Sequence, residues 1–258
     1  MGLRAAAFAF CLSASAALAS PETDRLVDAM GIPALIAAFS MDGIANSHAI
    51  NDGVLNGQGG AIWAETVSRL YDPARLEQEV RSSFAEALDD QIAAQALLFF
   101  ESELGARIID LEVQARNAML NPELEAAAKA SPAAQSEALT HFLEVRNLVD
   151  RNTDAALEAQ VAFFAGIAAT APQAAPVPDS DAQRALIRVD TERWLRGYYA
   201  LAQSPLNEDD VAIYTAFWDT EVATELDDAL FAAFGTSYST LSFGLGQAAG
   251  RLLPQNDL

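Results

Sequence analysis

Thiol chemistry has almost nothing to work with in this chain. The one cysteine, Cys11, falls in an N-terminal stretch that reads as a cleavable signal, so a mature chain would carry no disulfide, no thiol nucleophile and no thiolate zinc site. Histidine is nearly as scarce. Neither His48 nor His141 belongs to a His-Glu-x-x-His helix, and neither follows a glutamate by three residues as a di-iron Glu-x-x-His motif requires. Glu137 and His141, four apart, read as an ordinary exposed helix pair. A Ser-His-Asp triad would have to use one of these two histidines, and no Gly-x-Ser-x-Gly elbow accompanies them. Positive charge is also in short supply. With 15 Lys and Arg against 36 Asp and Glu, the formal charge is −21, which excludes generic nucleic-acid binding and opposes docking on anionic lipid. Strand-favouring Val, Ile and Thr are sparse beside alanine, the best helix former.

Two further absences narrow the field. The Gly- and Asn-rich stretch from Asn51 to Gly60 lacks the Lys-Ser/Thr of a phosphate loop, since Ala61-Ile62 follow it. Counted from Asp52 as an EF-hand, its twelfth place is Trp63 rather than glutamate, so it reads as a linker. Beyond the N-terminus no apolar run is long enough to span a membrane.

What is present begins with Met1–Ala19. Arg4 supplies a positive start, Ala5–Ala16 an apolar run too short for a bilayer, and Ala17-Leu18-Ala19 a small-x-small cleavage site before Ser20. The expected product is a periplasmic or secreted chain of charge −22, Arg4 being lost, without stable membrane insertion. The remainder, 52% hydrophobic over the whole chain, can bury a real core. The expected fold is all-α: a single array of about nine to eleven helices built around two related helical hairpins. Residues 20–171 form an N-terminal lobe with the first hairpin. Residues 172–179, which include Pro172, Pro176 and Pro178, are too proline-rich for a helix and form a linker. Residues 180–258 form the lobe with the second hairpin.

Helix starts are marked by cap-plus-proline pairs at Ser20-Pro21, Asp72-Pro73, Asn121-Pro122 and Ser131-Pro132, and by a capping box from Ser180 to Gln183. Gly31-Ile32-Pro33 stops the first helix, and Ala34–His48 gives a second apolar stretch. From Ala133 to Ala171 the composition is helical, with a break expected near Arg151-Asn152-Thr153. At the C-terminus, Gly244, Gly246 and Gly250 interrupt an apolar segment; glycines four apart allow close helix crossing.

The hairpins are the organising feature. The first runs from Leu88-Asp89-Asp90 through Phe99-Phe100 and Ser102-Glu103 to Asp110, and the second from Leu206 through Asp209-Asp210, Phe217-Trp218 and Thr220-Glu221 to Asp228. Phe99 and Phe217 are 118 residues apart, and the same offset carries Leu88 to Leu206, Glu103 to Glu221 and Asp110 to Asp228. Duplication or a coincidence of two capped amphipathic helices accounts for this, and agreement of turn, cap and aromatics favours duplication. The acid pairs Asp89-Asp90 and Asp209-Asp210 sit at expected helix starts, where capping explains them better than Ca²⁺ or paired carboxylates.

At Phe99-Phe100-Glu101-Ser102-Glu103-Leu104-Gly105 the chain resembles bacterial exported proteins with domain of unknown function 2059 (DUF2059). The motif of that family is an aromatic pair or Phe-Tyr, one residue, Ser-Pro, one residue, Gly. Here Glu103 stands in place of the proline, which leaves the two helices free to run on as one. The stretch from Asp150 to Ile167 is also similar to exported family members. The resemblance implies an all-helical exported protein, in two copies of the unit, and no activity.

No catalytic, cofactor or metal residues are assigned. The aromatics Trp194, Tyr198, Phe217 and Trp218 are the candidate lining of an apolar ligand pocket or a partner surface, unless they are simply core. The expected function is non-enzymatic, through protein–protein interaction in the periplasm. The alternative is a carrier of an apolar small ligand in an aromatic-lined pocket.

Overall fold

In the computed structural model the protein is described over residues 20–174 and 180–253, with the side chains of 174 and 180–182 left aside. The signal-peptide reading, most of the linker and the capping box therefore lie outside the described residues. The fold is all-α. Its helices are α1 (Pro21–Ala29), α2 (Ile32–Gly53), α3 (Gly60–Leu70), α4 (Pro73–Ala87), α5 (Asp90–Phe100), α6 (Glu103–Ala118), α7 (Pro122–Lys129), α8 (Glu137–Val145), α9 (Leu148–Thr170), α10 (Ser180–Gln203), α11 (Glu208–Trp218) and α12 (Glu221–Leu252). Short 3-10 turns occupy Pro132–Gln135 and Pro172–Ala174. Only Met30-Gly31 separates α1 from α2. Taken as one rod bent by 57°, they bring the number to eleven, the top of the expected range. No single helix among the described residues is long and apolar enough to cross a membrane.

Local chemistry places most of these boundaries. Ser20, Asp72 and Asn121 each accept a backbone N–H at the start of a helix whose first turn holds proline. Gly31 adopts φ +64° between α1 and α2, a left-handed conformation that a side chain would strain. The hairpin turn stays broken despite Glu103. Ser102 Oγ accepts from Gly105 N at 3.0 Å and donates to Phe99 O at 2.6 Å. A Cβ on Gly105 would stand 2.0 Å from that carbonyl, so only glycine permits the turn.

Four expectations are corrected, two of them around α8. First, α2 runs five residues past His48 to Gly53, and the loop after it shrinks to 54–59, tied by Asn51 Oδ1 accepting from Gly59 N at 2.9 Å. Second, Ser131-Pro132 starts only a 3-10 turn, and Ser136 caps α8 instead. Third, the break expected at Arg151–Thr153 lies at Arg146-Asn147, where Asn147 takes φ +49°. Arg151, Asn152 and Thr153 sit inside α9, and the Thr153 hydroxyl donates to Val149 O at 2.6 Å. Fourth, the C-terminal glycines do not interrupt α12, which runs unbroken for 32 residues, about 48 Å at 1.5 Å per residue.

α12 is the spine. It packs along α9 and also meets α3, α4, α5 and α11. Glycine sets its distance from α9. A Cβ on Gly246 would lie 1.9 Å from Phe163 O, one on Gly166 2.2 Å from Phe243 O, and one on Gly250 2.2 Å from Thr170 Oγ1. At Gly246 and Gly166 backbone meets backbone, so no side-chain rotation relieves the clash; at Gly250 the near atom is a side-chain hydroxyl, with the Ile167 carbonyl behind it at 3.0 Å. The buried side chains on both sides of 172–179 belong to one core, from Leu26 and Phe84 to Tyr214 and Leu241.

Substituting the spine's glycines separates packing from helix propensity. Gly246→Ala is expected to cost about 1–3 kcal/mol by forcing α9 and α12 apart. Gly235→Ala, whose Cβ meets nothing within 4 Å on the same helix, is expected to stabilise by about 0.5–1 kcal/mol. Urea unfolding of both variants checks the pair; equal effects of the same sign would contradict the close crossing.

Candidate functional site

The two hairpins meet through their aromatic ends. α5 is capped by Asp89 and α11 by Asn207; each helix has eleven residues, and each is followed by a hydroxyl residue, Ser102 or Thr220, that caps the next helix. The bounds of α11 and the start of α12 thus repeat those of α5 and α6 at the spacing of 118 residues. Burial repeats too: Ala96, Phe100, Ile108 and Ala115 are buried, as are Tyr214, Trp218, Leu226 and Ala233. The matching rings Phe99 and Phe217 stack face to face, 4.2 Å between centroids and 11° between planes. The helices that precede the hairpins cross over: α4 packs on α12, and α10 on α6.

The four sequence-predicted site residues enter one connected aromatic network of nine rings. Trp194 stacks on Tyr198 at 5.2 Å, Tyr198 meets Tyr199, and the chain continues through Phe142, Tyr214, Phe99 and Phe100 to Phe217 and Trp218. Tyr198 and Trp218 are buried, at 6% and 3% exposure, while Trp194 and Phe217 pack against the core from its edge. Arg116 covers the outer face of Trp194 at 5.4 Å. These rings fill the space between helices.

Sequence reasoning missed the charges threaded through that network. Arg146, the residue after α8, turns inward and donates from Nε and Nη2 to both oxygens of Asp227 on α12, at 3.0 and 2.6 Å. Its guanidinium lies 3.5 Å over the centre of the Trp218 ring, and Nη1 donates to Tyr199 Oη at 3.2 Å. Both side chains of the pair are buried, 8% and 5% exposed. On α6 the buried Glu112 accepts from Tyr214 Oη at 2.7 Å, and its backbone carbonyl accepts from Tyr198 Oη at 3.2 Å. A signal was available in the sequence. Glu112 lies on the stripe of Ile108, Ile109 and Ala115, and Asp227 on the stripe of Ala223, Leu226 and Leu230. Acids on an apolar stripe call for a buried partner.

Burial raises the Glu112 carboxyl above its ordinary value of 4.5. The Tyr214 hydroxyl and the Arg146 charge pull it back only in part, and Asp227 pushes it further up. Burial also lifts the Tyr198, Tyr199 and Tyr214 hydroxyls, which stay protonated and available as donors. The cluster has carboxylates, phenols and a guanidinium, but it is sealed from solvent and serves to position helices.

The remaining acidic pairs have structural partners. Asp89 caps α5; Asp209 and Asp210 lie in the first turn of α11, where Asp210 is 3.5 Å from Arg107; Asp228 pairs with Arg151 at 2.6 Å. Among the described residues no three His, Cys, Asp or Glu side chains converge to hold a metal ion. His48 and His141 are both exposed.

Two surface depressions stand out. A small polar cleft of about 330 Å³ lies between α4 and α12, lined by Ser82, Ser83, Thr236 and their neighbours. A groove of about 740 Å³ runs along α11, bounded by α8, the 3-10 turn before it and the end of α10. Neither is lined by Trp194, Tyr198, Phe217 or Trp218.

Comparison with known proteins gives no match: no family model, no curated protein and no solved structure is similar to this chain.

Two expectations follow from the buried charges. Asp227→Ala strands the Arg146 cation in the core and is expected to cost about 3–5 kcal/mol, whereas the double variant Arg146→Met/Asp227→Leu, which buries no charge, recovers most of that in urea unfolding. A double variant no better than the single one would contradict this account. Glu112 also sets a pH dependence. Because its folded value is raised, the folded state holds its proton more tightly than the unfolded state. That contribution is complete below the ordinary carboxyl value and is lost as pH rises through the raised one. E112Q has no such loss, so it is expected to gain on the wild type in melts run from pH 4.5 upward. E112Q losing ground with rising pH would mean that Arg146 holds Glu112 as an anion.

Proposed function

We propose that this chain is an exported, non-enzymatic helical protein that acts by binding another protein through the surface of its helices. The signal-like Met1–Ala19, with cleavage near Ala19, supports export to the periplasm. The likeness to DUF2059 at Phe99–Gly105 and the recurrence of helix bounds at 118 residues support two copies of one hairpin unit. The single observation that carries the interaction reading is the groove along α11. It is open at the surface and half lined by apolar residues, while the chain's conspicuous polar cluster is shut inside. The alternative, an apolar-ligand carrier built on Trp194, Tyr198, Phe217 and Trp218, would need these packed rings to part.

The full chain, tagged at its C-terminus and expressed in its host, tests the reading. The expected outcome is a mature protein beginning at Ser20 that captures a specific partner from envelope extract. Capture no different from that by bare resin would sink the interaction reading, and a retained Met1–Ala19 would sink export.

A further inference from the structure

We infer that the groove between α8 and α11 docks a cationic amphipathic helix of a partner protein. The inference rests on the interaction reading above and names the chemistry of the partner. One wall is a single face of α11. Val211, Ala212, Thr215 and Ala216 form its middle, with Glu208 at one end and Asp219 at the other. These positions recur at three and four residues, so they make one stripe with an acid at each end. The two acids are eleven residues apart, about 16 Å at 1.5 Å per residue.

The groove's floor is apolar and its edges are low. Leu139 and Ala200 are buried beneath it, while Ala138, Ala212 and Ala216 are exposed along its sides. Methyl groups in these places let a second helix approach closely, and a volume of about 740 Å³ takes several side chains from one face of it. Gln203, also in the lining, keeps an amide nitrogen with no acceptor among the described residues.

Charge selects the occupant. Neither α8 nor α11 contains a lysine or arginine. They carry Glu137, Glu144, Glu208, Asp209 and Asp210, and of these only Asp210 pairs with a lysine or arginine, Arg107, among the described residues. A second copy of this chain, at −21, would bring like charge to the groove, and an anionic membrane would do the same. A helix with an apolar stripe and Lys or Arg about three turns apart matches both the floor and the two terminal acids.

The test uses the chain from Ser20 to Leu258 and two 18-residue peptides of the same Leu and Lys content. In one the residues are spaced to give an amphipathic helix; in the other their order is scrambled. Fluorescence anisotropy at about 150 mM salt, where exposed charges beyond ~8 Å are screened, is expected to show at least a tenfold preference for the patterned peptide. Ala216→Arg is expected to weaken that binding at least tenfold, and Ala64→Arg on the exposed side of α3 to leave it within twofold. The charge-only double variant Glu208→Gln/Asp219→Asn keeps every apolar contact and is expected to weaken binding several-fold. It carries the test should the Ala216→Arg chain fail to fold. Equal binding of the scrambled peptide, or equal loss in the Ala64→Arg chain, overturns the inference. So does a dimer of the wild type that Ala216→Arg dissolves, since the occupant would then be a second copy. A partner captured from envelope extract equally well by wild type and Ala216→Arg leaves the interaction reading standing and removes the groove from it. Absence of any specific capture removes the reading itself.

Discussion

The Arg146 guanidinium fixes the relation of five helices. It leaves the end of α8, lies on the Trp218 ring of α11, reaches Tyr199 on α10 and holds both oxygens of Asp227 on α12, beside Glu112 of α6. A buried ion pair contributes little net stability, because desolvating two charges offsets most of their attraction. Its effect is on the alternatives. Any slip of α12 would leave a charge in the core without a partner, at a cost of several kcal/mol, and rotation of α11 would take the Trp218 face from the guanidinium and the Tyr214 hydroxyl from Glu112. In an alanine-rich core, where many helix registers pack almost equally well, that penalty singles out one arrangement.

Beyond this pair, contact between helices is governed by what is missing. Gly166, Gly246 and Gly250 let α9 and α12 meet backbone to backbone, and Gly105 lets the first hairpin turn within two residues. The hairpins then use large side chains for the opposite purpose. Phe99 on Phe217, with Phe100 and Trp218 at the edges, fills the seam between them. Small residues set the distances along the spine, and large rings set the angle at which the two halves face each other.

Much of this was legible in the sequence, because caps and turns are local. Ser20, Asp72, Asp89, Ser102, Asn121, Asn207 and Thr220 mark seven of the helix starts, and each does so through a hydrogen bond to a neighbour in the chain. The break at Arg146-Asn147 was not legible. Its one local mark is Asn147, a residue type that tolerates the left-handed conformation it takes there, while the contacts that hold Arg146 inward, to Asp227, 81 residues on, and Trp218, are distant in sequence. The aromatic cluster was visible as a concentration of rings, but whether rings line a space or fill one depends on the helices opposite. The groove along α11 escaped notice for a related reason: its alanines and acids look like any solvated helix until α8 is set beside them.

The length and position of α12 have a further consequence, for the order of assembly. It is the last of the described helices, yet it supplies surface to α3, α4, α5 and α9, elements about 50 to 200 residues earlier. Until Glu221–Leu252 is present, the apolar sides of those helices have no common neighbour. Partial chains emerging from the ribosome can form local helices and the α5–α6 turn, but they cannot close the interior. Completion of the interior therefore waits for Glu221–Leu252, so the core closes through contacts distant in sequence while the helices and turns form through local ones.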